Sequence, residues 1–457
     1  MDDADVEELF GTAGIRGEVR SRVTPAFALR VAAAAARDGG EFVVGRDGRE
    51  SGPALAAAVE AGLTSAGARV VRVGQVPTPA LAFASRGRHG VMVTASHNPP
   101  SDNGLKFFRD GREYDREAEH RVERRAADPD PPAEWSEWAG TEREDPLPAY
   151  RDAAVEYAGT FGATLDGLRV AVDCGNGTGA VATPRVLSAM GGEVVALNDN
   201  VDGHFPGRES KPTPESLADL RAFVAEDEAA IGFGHDGDAD RVVLIDGDGE
   251  VVHEDTVVAI LAERYVRGSQ AGDPVVVTTP NASARIDERV RAAGGRVERV
   301  RLGALHEGVR AAYEAGSPET AVVFAAEPWK HVHPAFGAWI DGVASVAVVS
   351  RLVAAEGLDS VREPVTERPY RKVSVPCPDG HKRAVMTTLE TTLPDAFPEA
   401  DLDTEHGVRV ERPDGSWLLV RPSGTEPYVR LYAESDDVDE LVDRARGVVE
   451  AAVDHAD

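Results

Sequence analysis

One unit recurs three times along the chain, as EFVVGRDGRESGPALAAAVEAGLTSAGARVVRVG, LRVAVDCGNGTGAVATPRVLSAMGGEVVALN and DPVVVTTPNASARIDERVRAAGGRVERVRLG. Each copy opens on a short β-branched run, passes through a polar, turn-forming loop into an amphipathic helical stretch, stops at a glycine and resumes as a strand. The stops are Gly67, Gly191 and Gly294, at the position where a left-handed residue ends a helix. Continuous apolar strands such as Val275–Val277 suit a sheet covered by helices on both faces. The repetition predicts three α/β domains with mixed sheets, over residues 1–145, 146–250 and 251–364.

The composition between the repeats supports separate domains. AADPDPPAEWSEWAGTEREDPLPAY is acidic, proline-rich and aperiodic, as a connector should be. IDGDGE carries a turn that joins two strands in hairpin style. From Val365 the pattern changes to alternating strands (RKVSVPCP, GVRVERPDGSWLLVRPSG, YVRLYAES) and a final helix from Val438. That tail, 365–457, reads as a smaller C-terminal α+β domain.

The 49 Lys and Arg against 79 Asp and Glu give a net charge of -30, which repels nucleic acid and anionic membrane surfaces. Only five basic residues are lysines (Lys106, Lys211, Lys330, Lys372, Lys382). An acidic, lysine-poor surface suits a salt-adapted, halophilic protein, because strong screening removes its self-repulsion. Cys174 and Cys377 are too few for a disulfide framework and lack metal-ligand spacing. MDDADVEELFGTAGIRG has neither a basic n-region nor an apolar h-region, and no apolar run reaches membrane-spanning length. The expected location is cytoplasmic.

Three constellations carry chemistry. In GFGHDGDADRVVLID, Asp236, Asp238 and Asp240 alternate along a loop that becomes a strand. Such crowded carboxylates repel unless a divalent cation separates them, and their hard oxygens select magnesium or calcium. A helix-loop-helix calcium loop would need Gly and Glu where Arg241 and Gly247 stand, which leaves magnesium or a solvated acidic turn; Arg241, adjoining the triad and leading into an apolar strand, puts magnesium ahead. In RPSGTEPYVRLYAES, Ser423, Gly424 and Thr425 offer hydroxyls and backbone amides while Arg421 and Arg430 offer charge-assisted forks, a set that suits a phosphate dianion; a plain turn flanked by surface arginines reads the same residues equally well. In LFGTAGIRGEVR, glycines surround Arg16 without the dinucleotide-binding context. Between them, GVMVTASHNPPSDNGLKFF runs an apolar strand into Ser96 and His97 and on to Lys106, and in the company of the other loops Ser96 is a candidate phosphoryl acceptor.

FGTAGIRG, TASHNP, DGDADR and RPSGTEP, in this order and spacing, resemble the α-D-phosphohexomutase superfamily, with phosphomannomutase/phosphoglucomutase and phosphoglucosamine mutase as its close branches. The resemblance implies four domains around a central cleft. It implies a phosphosugar mutase interconverting hexose 1-phosphate and hexose 6-phosphate through a phosphoserine at Ser96. A sugar 1,6-bisphosphate would serve as intermediate and activator, with Mg2+ held by phospho-Ser96, Asp236, Asp238 and Asp240. Arg16, His97, Lys106 and Arg241 would surround the transferring phosphoryl group, with Lys106 a candidate general acid/base. Arg421, Ser423, Gly424, Thr425 and Arg430 would grip the other phosphate. The strand Val91 to Thr94 is expected to deliver Ser96, and Asn103-Gly104 to turn the chain and return Lys106. The expected partner is a small-molecule phosphosugar, with no nucleic acid and no membrane, and the chain a monomer or homodimer.

The sequence departs from the family at its sugar-recognition loop, usually Gly-Glu-x-Ser-Gly-His, which here reads Ala326-Glu327-Pro328-Trp329-Lys330-His331. Glu327 and His331 match and would read sugar hydroxyls. Trp329 would stack on a sugar face or pack the loop. Lys330 would face a phosphate, and its charge opposes a glucosamine ammonium; glucose and mannose phosphates therefore stand ahead of glucosamine phosphate. Gly303, in RVRLGALHE, matches the family without the usual polar neighbours. A phosphopentomutase, a magnesium phosphatase and a non-catalytic sugar-phosphate sensor are the competing readings.

Overall fold

A computed structural model describes residues 9–11, 14–226, 229–423 and 426–456. The chain divides into two compact units, Met1–Val257 with Phe324–Val361, and Val258–Val323 with Arg362–Asp457. Residues 251–364 contribute to both.

The first unit carries two of the repeats. In the first, strands run in the order Ile15–Glu18, Asp102–Arg109, His89–Val93, Glu41–Arg46, Arg69–Gln75, Thr141–Arg143. The last four are mutually parallel, whereas Asp102–Arg109 is antiparallel to both its neighbours, so the sheet is mixed. Helices Pro25–Ala36 and Gly52–Ser65 pack on it through a core of Val, Leu, Ala and Phe side chains. The second repeat orders Val242–Ile245, Ile231–His235, Arg169–Asp173, Glu193–Leu197, with the first pairing antiparallel and the rest parallel. The end of strand Thr320–Glu327 forms a hairpin with Lys330–Val332, and helix Gly342–Glu356 follows, capped by Asp341, which accepts from Ala344 N at 2.8 Å.

In the second unit, parallel strands Asp273–Thr278 and Arg296–Arg299 alternate with helices Ala284–Ala292 and Leu305–Ala315. A five-stranded sheet follows, ordered Tyr370–Pro376, Tyr428–Glu434, Trp417–Pro422, Val408–Glu411, Asp401–Asp403 and antiparallel throughout. Helices Lys382–Ala396 and Val438–Asp454 close one face over a core that includes Leu389, Leu418, Leu431 and Leu441. Three α/β-type segments with mixed pairing and an α+β tail are the fold class the sequence predicts.

The three repeat glycines do the same work: Gly67, Gly191 and Gly294 take φ of +90°, +95° and +92°, where a side chain would be strained. The IDGDGE segment closes as a hairpin, with Gly249 N donating to Asp246 O at 2.9 Å and Ile245 bridging Val251. One local expectation is corrected. Asn103 and Gly104 do not turn the chain; they lie inside strand Asp102–Arg109, where Gly104 sits opposite Arg16. The reversal occurs earlier, closed by Asp102 N donating to Pro99 O at 3.0 Å. Gly104 is needed for approach, because a Cβ there would stand 2.3 Å from Ile15 O and 2.5 Å from Thr94 O.

Candidate active site

The site assembles within the first unit from the C-terminal ends of strands. Strand His89–Val93 leads through Thr94 and Ala95 to Ser96, whose φ of +51° is left-handed, an unusual conformation for a non-glycine residue and typical of functional positions. Strand Ile231–His235 delivers the loop Asp236–Asp240 in the same way. Ser96 Oγ donates to Asp236 Oδ2 at 2.5 Å, and His97 Nδ1 lies 3.3 Å from the same hydroxyl. The two loops touch at Gly237, where a Cβ would stand 2.7 Å from Ser96 O.

Asp236, Asp238 and Asp240 are buried, with a ligand oxygen of each within 4.8 Å of the others. Lys106 Nζ donates to Asp240 Oδ2 at 2.5 Å and to Asp238 Oδ2 at 3.3 Å. Arg241 Nε stands 3.7 Å from Asp236 Oδ2 and 3.8 Å from Asp240 Oδ1. The register explains Lys106: it pairs with Met92, across the sheet from the strand that ends in Ser96. Asp238 Oδ1 and Asp240 Oδ1 are buried without a hydrogen-bond donor among the described residues. Two such oxygens beside a third carboxylate and a hydroxyl make an all-oxygen donor set that fits a hard divalent cation.

Electrostatics separate the roles. Burial, then Asp240 and Asp238, push Asp236 up to about 8. Burial opposes the charge of Asp240, but Lys106 and Arg241 outweigh it and hold the carboxylate below its usual range. Burial opposes the charge of Lys106 as well, yet Asp238 and Asp240 raise its pKa, so the ammonium stays protonated. Burial, then Arg241 and Arg16, lower His97 to about 2, and the ring is neutral. Arg16 Nε and Nη2 are buried with no acceptor among the described residues, which suits an anionic group such as a phosphate.

The hairpin Glu327–Lys330 joins this group. Lys330 bridges Arg241, Val242 N donates to Trp329 O at 3.1 Å, and Lys330 Nζ lies 3.5 Å from Glu327 Oε2. Glu327 and Lys330 are register partners, while His331 pairs with Ala326 and so projects to the opposite face. There His331 Nδ1 meets Ser345 Oγ at 2.9 Å and is 2% exposed. Trp329, at φ +68°, packs against the cluster of Ala171, Leu217, Leu220, Val224, Val243 and Ile245.

In the second unit, Arg421 and Arg430 are register partners. Arg421 Nη2 donates to Tyr432 OH at 3.0 Å, its Nε is buried without an acceptor among the described residues, and Arg430 pairs with Glu426. Gly424 and Thr425 lie outside the described residues. Ser423 N donates to Tyr428 O at 2.9 Å, and Gly303 takes φ +79°.

Several participants have no motif of their own. Thr78 Oγ1 donates to Asp238 Oδ2 at 2.6 Å, and Thr94 Oγ1 lies 2.7 Å from Asp47 Oδ2 and 3.2 Å from Asp238 Oδ2. Arg208 Nε donates to Asp173 Oδ2 at 2.9 Å and its Nη2 to His235 O at 2.5 Å, bracing the root of the aspartate loop. Lys382 Nζ donates to Ser423 O at 2.6 Å and Glu426 O at 2.7 Å, on either side of residues 424–425. The sequence signal for Asp47 was a polar RDGR turn after an apolar strand; Lys382 gave none beyond lysine scarcity.

Comparison with known proteins agrees with this geometry. Family models of phosphoglucomutase/phosphomannomutase match the chain over residues 7–132 (alpha/beta/alpha domain I), 149–249 (domain II) and 373–451 (C-terminal domain). A phosphopentomutase of Thermococcus kodakarensis is 39% identical over 98% of this chain and 99% of its own. A probable phosphoglucosamine mutase of Methanopyrus kandleri is 41% identical over 96% and 98%. The crystal structure of a phosphoglucomutase/phosphomannomutase family protein of Burkholderia thailandensis superposes with a TM-score of 0.85 at 28% identity, covering 97% of each chain. On motifs, site geometry and these likenesses together, the chain belongs to the phosphoglucomutase/phosphomannomutase family of the α-D-phosphohexomutase superfamily.

Proposed function

We propose that this chain is a phosphosugar mutase that interconverts hexose 1-phosphate and hexose 6-phosphate, using Ser96 as the phosphoryl carrier. The observation that carries the reading is the contact of Ser96 Oγ with Asp236 Oδ2 at 2.5 Å inside a buried ring of carboxylates and cations. A solvated serine turn would have no reason to be built this way.

Asp236, Asp238 and Asp240 would hold Mg2+, which when bound supplies positive charge to the phosphoryl oxygens. Arg16 presents unpaired N–H groups to the same oxygens, and Arg241 adds a second guanidinium. Their charge is fixed before reaction, so it stabilises negative charge as it spreads in the transition state. Lys106, held protonated, suits donation of a proton to a departing sugar oxygen; it takes up a proton only once it has given one. Neutral His97 accepts or donates a hydrogen bond at Ser96 without adding charge. Phospho-Ser96 gives its phosphoryl to a free hydroxyl of the sugar 1-phosphate, whose proton passes to the departing Ser96 oxygen. The 1,6-bisphosphate turns over, and its other phosphate returns to Ser96 as Lys106 protonates the departing sugar oxygen and regains its proton from the Ser96 hydroxyl. Arg421 and Arg430, with the loop that Lys382 braces, would grip the phosphate not being transferred.

Glucose, mannose and glucosamine phosphates are the proposed substrate class. The packing of Trp329 against aliphatic side chains supports a scaffolding role for its ring, leaving Glu327 and Lys330 as the sugar-facing pair. A pentose phosphate is the second reading, favoured by the likeness to a protein named phosphopentomutase. The test is phosphorus NMR of enzyme primed with glucose 1,6-bisphosphate and Mg2+, offered glucose, mannose and glucosamine 1-phosphates together, then ribose 1-phosphate. Growth of a 6-phosphate signal that Ser96→Ala abolishes supports the hexose reading. Conversion of ribose 1-phosphate alone replaces it with the pentose reading, and release of inorganic phosphate that survives Ser96→Ala would favour a phosphatase.

A further inference from the structure

Ser96 holds a left-handed backbone in a loop whose carbonyls turn inward. Between strands His89–Val93 and Asp102–Arg109, the oxygens of Ser96, Asn98, Pro99 and Asp102 converge on one buried point. Pro99 O also accepts from Asp102 N and Asn98 O from Ser210 Oγ, and the acceptor capacity left on these carbonyls needs a further donor where they turn inward. One side chain reaches all four oxygens: Arg49, which is 0% exposed. Its Nη1 donates to Pro99 O at 2.5 Å and Asp102 O at 2.9 Å, and its Nη2 to Ser96 O at 2.9 Å and Asn98 O at 2.7 Å. Its Nε donates to Asp47 Oδ2 at 3.0 Å. A guanidinium has five N–H groups in a rigid planar fork, and here each of the five has its acceptor.

The fork is itself held. Asp47 Oδ1 accepts from Arg49 N at 3.0 Å, and the Phe205 ring lies 5.1 Å from the guanidinium carbon. Asp47 Oδ2 lies 2.7 Å from Thr94 Oγ1, and that same oxygen accepts from Ser96 N at 2.9 Å. The serine is thereby held at both its N–H and its C=O by one connected network. Among the described residues Arg49 makes no hydrogen bond or ion pair with the three aspartates, and all its side-chain donors are spent on the loop and Asp47.

We propose that Arg49 is the positioning residue of the serine loop, fixing the left-handed backbone that aims Ser96 Oγ at the transferring phosphoryl group. The proposal rests on the reading of Ser96 as phosphoryl carrier. Lysine cannot replace it, since an ammonium has three donors and no planar fork. The role belongs to alignment: the sugar phosphate would still bind, and the nucleophile would be misaimed.

The experiment compares the full-length wild type with Arg49→Lys, Arg49→Ala and Asp47→Asn, using glucose 1,6-bisphosphate and Mg2+ to prime, mass spectrometry to read phosphorylation at Ser96, and mutase kinetics on the sugar phosphate the wild type converts. Arg49→Lys is expected to melt as a folded protein and to lose at least about 100-fold in kcat with KM within about threefold. Methylguanidine is expected to restore at least about tenfold of kcat to Arg49→Ala and to leave the wild type unchanged, a rescue that general damage to the fold would not give. Should either Arg49 variant fail to fold, Asp47→Asn carries the test, with a smaller kcat loss and KM again unchanged. A wild-type kcat in Arg49→Lys, or in Asp47→Asn where it is the surviving variant, or a loss confined to KM, overturns the proposal. A wild type that neither labels at Ser96 nor turns over any sugar phosphate overturns the carrier reading first, and the proposal with it.

Discussion

Ser96 and Asp236 lie 140 positions apart in sequence and share a hydrogen bond of 2.5 Å. Two strand ends from two different sheets meet there, and the contact links the candidate nucleophile to the candidate metal ligands. Asp236→Asn keeps an acceptor for the hydroxyl but removes the carboxylate that a bound cation would hold deprotonated. Its affinity for Mn2+, used as a spectroscopic probe, should fall at least about tenfold, since even the loss of an outer-shell partner commonly costs 10- to 100-fold. Paramagnetic resonance titration reads this without any turnover, and unchanged affinity would remove Asp236 from the metal site.

Lys106 is the cation that two of those carboxylates already have. Lys106→Met leaves Asp238 and Asp240 buried and facing each other without it, and breaking a buried pair from one side costs about 3–5 kcal/mol. The variant should melt earlier than wild type in chelator and recover much of the difference in Mg2+. Its kcat should fall by roughly 10²–10⁴-fold, the range for losing an acid–base group, with KM nearly constant. A kcat near wild type would take Lys106 out of the chemistry and leave it a structural counter-ion.

Trp329 sits at φ +68° and packs on an aliphatic cluster. Replacing it by alanine removes packing and keeps the strained backbone, at a cost of about 1–3 kcal/mol. Glycine removes the same packing and relieves the backbone by up to about 1 kcal/mol. The order of denaturation midpoints should be wild type, then Trp329→Gly, then Trp329→Ala, with the preference among sugar phosphates unchanged. A changed preference at unchanged stability would mean that the ring reads the sugar.

The legible and illegible parts of this molecule divide along a physical line. The repeats, their glycine stops and the aspartate and serine loops could be read because their signals are local: a periodicity, a turn residue, carboxylates two apart. Asn103-Gly104 misled for the same reason. That dipeptide is a strong hairpin signal, but here the glycine serves a close strand crossing that only the tertiary fold reveals. Arg49, Thr78 and Thr94 could not be read, because their partners stand between 2 and 160 positions away and mostly on other elements. The alternatives at Trp329 likewise turned on which cluster lay behind the hairpin. His331 matched a motif by order, and strand alternation then put its ring on the face away from Glu327.

That ring supports a pH prediction. His331 Nδ1 and His333 Nε2 both lie 2.9 Å from Ser345 Oγ, whose own proton goes to Asp341 O at 2.8 Å. The hydroxyl must therefore accept from both rings. Burial lowers each to about 3, with His331 adding to the effect at His333. An unfolded histidine titrates near 6.5, so between about pH 6.5 and pH 3 the unfolded chain binds more protons. Stability then rises with pH through that window and is lost as pH falls, by up to about 2 kcal/mol per ring at pH 5. His333→Asn should flatten the slope of unfolding free energy between pH 7 and pH 5 by about 0.7 of a proton on average. A slope equal to wild type would mean that His333 already titrates normally.

The last prediction concerns the charge of -30. The chain has five lysines, and two of them, Lys106 and Lys330, are only 2% and 8% exposed, so the surface has still less cation to set against its carboxylates. Repulsion among exposed charges acts over about 10 Å at 0.1 M salt and about 3 Å at 1 M. Raising KCl should therefore stabilise the fold, whereas the buried pairs of Lys106 with Asp238 and Asp240 should be little screened. If the relieved repulsion is on the order of 2 kcal/mol, the melting midpoint rises by about 2 °C between 0.1 M and 2 M KCl. Calorimetry in KCl, with sucrose as a control for excluded-solute effects, measures it. A midpoint that stays level or falls would mean that local ion pairs already neutralise the surface, and the acidic composition would then carry no salt adaptation.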